Sequence, residues 1–102
     1  MNPTDYLKAG REHYEKREYN EAMDNFTRAI ELDPEYKQAY YSRGLCWFNL
    51  NEYEKAIADY DEAIRIDDDY RLAYYDRSIS YRKSGNKKQA DEDFARATGA
   101  NK

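Results

Sequence analysis

Cysteine and histidine each occur once in the 102 residues, as Cys46 and His13. A lone thiol permits no disulfide within the chain. It points to a reducing compartment, and so to a cytoplasmic location. One Cys and one His cannot make a zinc site of the usual kind, and no cofactor is expected. Glycine is sparse and scattered, at Gly10, Gly44, Gly85 and Gly99, so there is no glycine-rich phosphate loop. No apolar run approaches the roughly 20 residues of a bilayer span. The opening Met1-Asn2-Pro3-Thr4-Asp5 has neither a basic nor an apolar stretch, and no secretory signal is expected. Basic charge is outnumbered too. Seventeen Lys and Arg against 21 Asp and Glu leave a net charge of -4, which disfavours binding driven by nucleic-acid phosphates.

What the chain does have is tyrosine. It has 12, and aromatics make up 16% of all residues. Charged residues reach 37%, yet hydrophobic residues reach 40%. That is too aromatic for a disordered polar chain. The length suits one domain, residues 1–102, with one core. Tyrosine can bury its ring and keep its hydroxyl wet.

The sequence repeats with a period of 34 residues. Ala22 returns as Ala56 and Ala90, and Ala29 as Ala63 and Ala97. Phe26 returns as Tyr60 and Phe94, Tyr6 as Tyr40 and Tyr74, Gly10 as Gly44 and then Ser78, His13 as Trp47 and Tyr81. Three units result: 3–36, 37–70 and 71–102. Apolar spacing inside each is helical, as in Tyr40, Gly44, Trp47, Phe48 and in Ala56, Ile57, Tyr60, Ala63, Ile64. Asn49-Leu50-Asn51-Glu52 breaks the pattern, with asparagines suited to end one helix and start the next. Gly85-Asn86 marks the same break, and Asp33-Pro34 ends the first unit. Each unit is therefore expected to be two antiparallel helices of three to four turns. Small Gly, Ser and Ala positions should let helices approach, with Trp47 or Tyr60 filling what remains. One helix pair cannot bury its apolar face alone; a stack can.

These positions resemble the tetratricopeptide repeat family. Its pattern of aromatic, Gly or Ala, aromatic, Ala, aromatic, Ala and Pro fits Tyr40–Ile66 closely and covers nearly the whole chain. His13 for an aromatic, Ser78 for Gly and Asp68 for the inter-unit Pro are departures. The resemblance implies an all-α, right-handed superhelical solenoid of about six helices, whose first helices line a concave groove. It also implies a binder of protein partners that is no enzyme. In the third unit Asp91 replaces Met23 and Ile57, Thr98 replaces Ile30 and Ile64, Ala100 replaces Leu32 and Ile66, and Lys87 replaces Tyr19 and Tyr53. The last helix is thus expected to present a polar outer face and close the array as a complete three-unit protein, with Phe94, Ala90 and Ala97 still packed on the third unit's first helix. Docking of a second copy is the rival reading.

Seven tyrosines (Tyr6, Tyr19, Tyr40, Tyr53, Tyr60, Tyr74 and Tyr81) fall at packing positions, and Tyr36 and Tyr70 in inter-unit turns. The resemblance puts Tyr14, Tyr41 and Tyr75 on the concave side. With them it places Lys8, Arg11, Glu15, Ser42, Leu45, Phe48, Asn49, Asp76, Ile79, Arg82 and Lys83. Leu45, Phe48 and Ile79 either form an apolar binding surface or tighten helix contacts. Four basic against two acidic residues make this set +2, with the basic residues at its ends. It suits a peptide with an apolar or aromatic anchor and some acidic residues. Family members that clamp a chaperone's C-terminal carboxylate use Lys, Asn and Arg donors. The matching positions here are Leu7, Arg11, Ser42, Leu72 and Asp76, so no such clamp is expected.

Residues that could do chemistry have structural readings instead. His13 takes a packing position, Cys46 a helix interior. Asp67-Asp68-Asp69 lacks the Gly and final Glu of a calcium loop, which leaves a solvated turn with capping aspartates. Three functions compete: a peptide- or protein-binding adaptor, which is favoured; a scaffold that self-associates through the ends of its stack, for instance as a homodimer; and an RNA or nucleotide binder stacking bases on groove tyrosines beside Arg11, Arg82 and Lys83, which the acidic balance disfavours.

Overall fold

The computed structural model describes residues 1–99 as six helices, with no strand among the described residues. They are α1 (Pro3–Glu15), α2 (Tyr19–Leu32), α3 (Lys37–Asn49), α4 (Tyr53–Ile66), α5 (Arg71–Lys83) and α6 (Lys87–Thr98). Each helix packs mainly on its neighbours in sequence, and α1–α3 and α3–α5 touch more lightly along one side. The result is an all-α solenoid of three helix pairs, 41 × 25 × 18 Å. Ala100 lies outside the described residues.

Local chemistry sets the helix ends. Asn2 and Asp5 exchange side-chain and backbone hydrogen bonds, at 2.9 and 3.1 Å, and Pro3 opens the first turn. The inter-unit turns are alike: Asp33 Oδ1 accepts from the Glu35 N–H, Asp67 Oδ1 from the Asp69 N–H, each at 3.1 Å. The aspartate holds this turn without help from proline, so Asp68 is accommodated where Pro34 stood. Within units, the turn depends on a residue with left-handed backbone. Arg17, Asn51 and Gly85, each 34 residues from the next, have φ of 63°, 63° and 90°. Asn51 was expected to cap α4, but Glu52 precedes that helix and gives no side-chain cap. Asn51 instead serves by its backbone. Asn86 does cap α6, accepting from the Gln89 N–H at 3.3 Å.

Packing follows the small-and-large alternation. A Cβ on Gly10 would lie 2.4 Å from the Phe26 ring, and one on Gly44 2.5 Å from Tyr60. Both rings are completely buried, as are Ala22, Ala29, Ala56, Ala63 and Ala90. The third unit departs from this. Ser78 carries the Cβ that the other two positions lack, so a ring cannot take the same seat. Phe94 touches Tyr75 of α5, with ring centroids 6.2 Å apart, but stays 46% exposed. Phe94 thus packs on the third unit's first helix, as expected, but is far less buried there than Phe26 and Tyr60 are in theirs. Polar groups do cover α6: Asp91 pairs with Lys87 at 3.0 Å and with Arg82 at 3.4 Å.

A charged ladder joins the pairs. Arg43 on α3 donates two hydrogen bonds, both 2.8 Å, to buried Asp59 on α4, and a third, 3.2 Å, to Thr27 on α2. Arg77 on α5 does the same with buried Asp93 on α6, at 2.7 Å twice, and with Asp61 on α4 at 2.8 Å. The fork geometry is what suits arginine to this role.

Candidate functional site

The first helices of the pairs run along one side of the stack, and their shared face is the concave surface. Between α1 and α3 a pocket of about 200 Å³ opens, lined by Arg11, Tyr14, Glu15, Tyr41, Ser42 and Leu45 over a floor of Phe26. It is smaller than the roughly 300–1,000 Å³ of small-molecule sites and matches one or two peptide side chains. Six of the fourteen residues assigned to the groove from sequence meet here: Arg11, Tyr14, Glu15, Tyr41, Ser42 and Leu45.

Hydrogen bonds set the pocket walls. Asn49 Nδ2 donates to the Tyr14 hydroxyl at 3.0 Å and to the Leu45 carbonyl at 2.8 Å, tying α3 to α1. The Tyr14 ring meets Tyr19 edge-on at 5.6 Å. Tyr41 donates its hydroxyl to Asp76 of α5. Its ring lies 5.3 Å from Tyr70 and 5.9 Å from Tyr60, centroid to centroid. Burial and then the bond to Asp76 hold the Tyr41 phenol protonated, far above its ordinary range. Burial also raises Asp76 above the usual carboxylate range, against the opposing effect of Tyr41's hydrogen bond.

The assigned residues differ widely in their surroundings. Lys8 and Lys83 are exposed. Phe48 is half-buried, with its ring 5.5 Å from Tyr53 on α4, and Ile79 is also half-buried. The helix-tightening reading therefore fits Phe48. Ser42 lines the pocket but is almost closed off. Tyr75 is 45% exposed beside Phe94. Arg82 is drawn to Asp91 on α6. The balance of +2 is thus unevenly spread, with Lys8 and Arg11 in no ion pair among the described residues and a half-buried acid at the centre.

Sequence reasoning missed Tyr70, assigned to a turn, whose ring lies tilted against Tyr41 from just before α5. It also missed Phe26, which lines the pocket while packing against Gly10. The 34-residue spacing of Tyr36 and Tyr70 was the available signal. His13 is half-buried, its Nδ1 2.7 Å from a Glu18 carboxylate oxygen. Cys46 is buried, and burial pushes its thiol up to about 12. Among the described residues no group of three or more His, Cys, Asp and Glu could hold a metal ion, and no helix is long and apolar enough to cross a membrane.

Tetratricopeptide repeat family models match residues 7–71 and 72–102. A stretch of 45 residues, 44% of the chain, is 40% identical to outer dynein arm-docking complex subunit 4 of Xenopus laevis, and spans 8% of that protein. Among solved structures, MamA is 29% identical with a TM-score of 0.93, over 99% of this chain and 59% of that one. The second TPR of Spaghetti (RPAP3), bound to an HSP90 peptide, is 22% identical with a TM-score of 0.93, over 96% and 91%. The TPR2B domain of yeast Sti1, in a pHsp70 complex, is 24% identical with a TM-score of 0.90, over 93% and 76%. At the identities of these last two the likeness shows the fold. Helix pairs, 34-residue period and family match agree: the chain belongs to the tetratricopeptide repeat family, whose members are protein-interaction modules and not enzymes.

Proposed function

We propose that the chain is a cytoplasmic adaptor that holds a peptide or protein segment along its concave face. The observation that carries this is the pocket between α1 and α3, apolar at its floor and hydrogen-bonded at its rim. An apolar or aromatic side chain fits the floor at Phe26 and Leu45. Arg11 and Lys8 favour acidic residues beside that anchor. Spaghetti and Sti1 carry chaperone peptides on the same fold, but a carboxylate clamp does not suit this chain. Leu7 is buried and apolar, Ser42 is nearly closed off, and Asp76 would repel a carboxylate. A buried thiol at Cys46 accords with a reducing compartment.

The test is a pull-down with native protein and with Tyr14→Ala/Leu45→Ser, its helicity first checked by circular dichroism. A partner held by the first and released by the second is the expected result. Equal capture by both would reject the groove. Calorimetry with an acidic chaperone C-terminal peptide should show no binding, and a tight complex would overturn the exclusion of the clamp.

One observation favours the alternative, self-association through the end of the stack. Tyr75 and Phe94 are large, adjacent and nearly half exposed. Mass that rises with concentration in light scattering would support a homodimer, and constant mass would dismiss it.

A further inference from the structure

Asp76 stands out in the groove because it is a half-buried acid with no cation paired to it among the described residues. One carboxylate oxygen accepts from Tyr41. Arg11, the basic residue that lines the neighbouring pocket, makes no ion pair with it among the described residues, and Arg82 turns to Asp91. Elsewhere this chain matches its inward-facing aspartates with arginine, as at Asp59 and Asp93. Leaving an acid half out of water without a counter-charge is costly, so its position calls for a partner.

A second, independent observation lies next to it. The Tyr60 hydroxyl is buried and has no hydrogen-bond partner among the described residues. Its two counterparts, Phe26 and Phe94, have no hydroxyl at all, so packing does not require one. Phe26 floors the pocket between α1 and α3, and the repeat places Tyr60 at the equivalent position, against Gly44 and with its ring centre 5.9 Å from that of Tyr41. Burial and then the charge of Asp76, ahead of Tyr41, Tyr14 and Asp59, hold the Tyr60 phenol protonated. A buried polar atom left unpaired costs about 1–3 kcal/mol.

We propose that Asp76, with the hydroxyls of Tyr41 and Tyr60 and the ring of Tyr70, receives a basic side chain, lysine or arginine, of the bound peptide. An ammonium or guanidinium would donate to the free carboxylate oxygen and to the unpaired Tyr60 hydroxyl, and lie against tyrosine faces that attract cations. The chain already shows such a contact: Lys37 Nζ sits 5.4 Å from the centre of the Tyr70 ring. This rests on the groove reading above and adds to it. The segment recognised has an apolar anchor for the α1–α3 pocket and a basic residue one inter-helix spacing away, with acidic residues on the Arg11 side.

The probe is a phage-displayed library of random dodecapeptides, panned on native protein, on Asp76→Asn and on the pocket variant Tyr14→Ala/Leu45→Ser. Native protein should enrich peptides with Lys or Arg at a fixed distance from an apolar residue. Asp76→Asn, which keeps size and the Tyr41 contact, should lose the basic preference and keep the apolar one. For a labelled selected peptide, fluorescence anisotropy should show about tenfold or greater weakening by Asp76→Asn. Replacing the peptide's basic residue with norleucine should weaken binding equally, and the two changes together should add little. Tyr60→Phe should weaken binding severalfold while keeping its fold. Peptides selected without a basic residue, or equally by native and Asp76→Asn, would overturn this inference and leave the groove reading standing. No selection by native protein, or selection that persists on the pocket variant, would overturn both.

Discussion

Arg17, Asn51 and Gly85 hold the same left-handed backbone at the same point of each unit, and only two of them suit it. Glycine takes this conformation freely and asparagine tolerates it, whereas a long side chain is strained by about 1–2 kcal/mol. Arg17→Gly should therefore stabilise the protein by about 0.5–1 kcal/mol, after glycine's greater unfolded-state entropy is set against the relief. Gly85→Ala should destabilise by about 1 kcal/mol for backbone reasons alone, since a Cβ there would meet nothing within 4 Å. Urea titrations of the two variants check the pair, and a less stable Arg17→Gly would reject the account. Gly85 and Asn51 announced their turns in the sequence. Arginine carries no such signal, so Arg17 became legible only through its spacing from the other two. Asp76 was legible as a groove position, but its isolation from any cation depended on where Arg11 and Arg82 point.

At the scale of helices, the apolar period was enough to give six elements in the right places. What it left out were the ties between them. Arg43 and Asp59 are 16 residues apart, as are Arg77 and Asp93, and both pairs recur at the 34-residue period. A reading built on apolar periodicity passes over charged residues, which are usually solvated. Here each arginine head lies between three helices. Asp59→Ala leaves Arg43 partly buried with Thr27 alone and should cost about 3 kcal/mol, whereas Arg43→Met/Asp59→Leu should recover most of it. Thermal unfolding followed by circular dichroism distinguishes these outcomes, and equal losses in both variants would show that the pair is not what matters. The groove was harder to read than the helices. Which of its apolar residues face a ligand depends on a few ångströms of ring position, as the contact of Phe48 with Tyr53 shows.

At the scale of the whole molecule, stability in a stack is close to a sum of unit and interface contributions. The middle pair, α3 and α4, is covered on both sides. The third pair has an exposed Phe94, a Ser78 where the ring's seat should be, and an outward face of Lys87 and Asp91. Native-state hydrogen exchange should be slowest in α3 and α4 and fastest in α6. A uniform rate across all six helices would mean that the stack opens only as one unit. The ladder adds a property of another kind. Each arginine uses one edge for the aspartate of its own pair and another for an acceptor one pair earlier. Thr27 serves Arg43 and Asp61 serves Arg77. Were residues 37–70 duplicated in tandem, the copy's arginine would meet Asp61 just as Arg77 does now, and Arg77 would meet the copy's own aspartate. A gene encoding this chain could therefore lengthen by whole units, with every inward charge matched at each new joint.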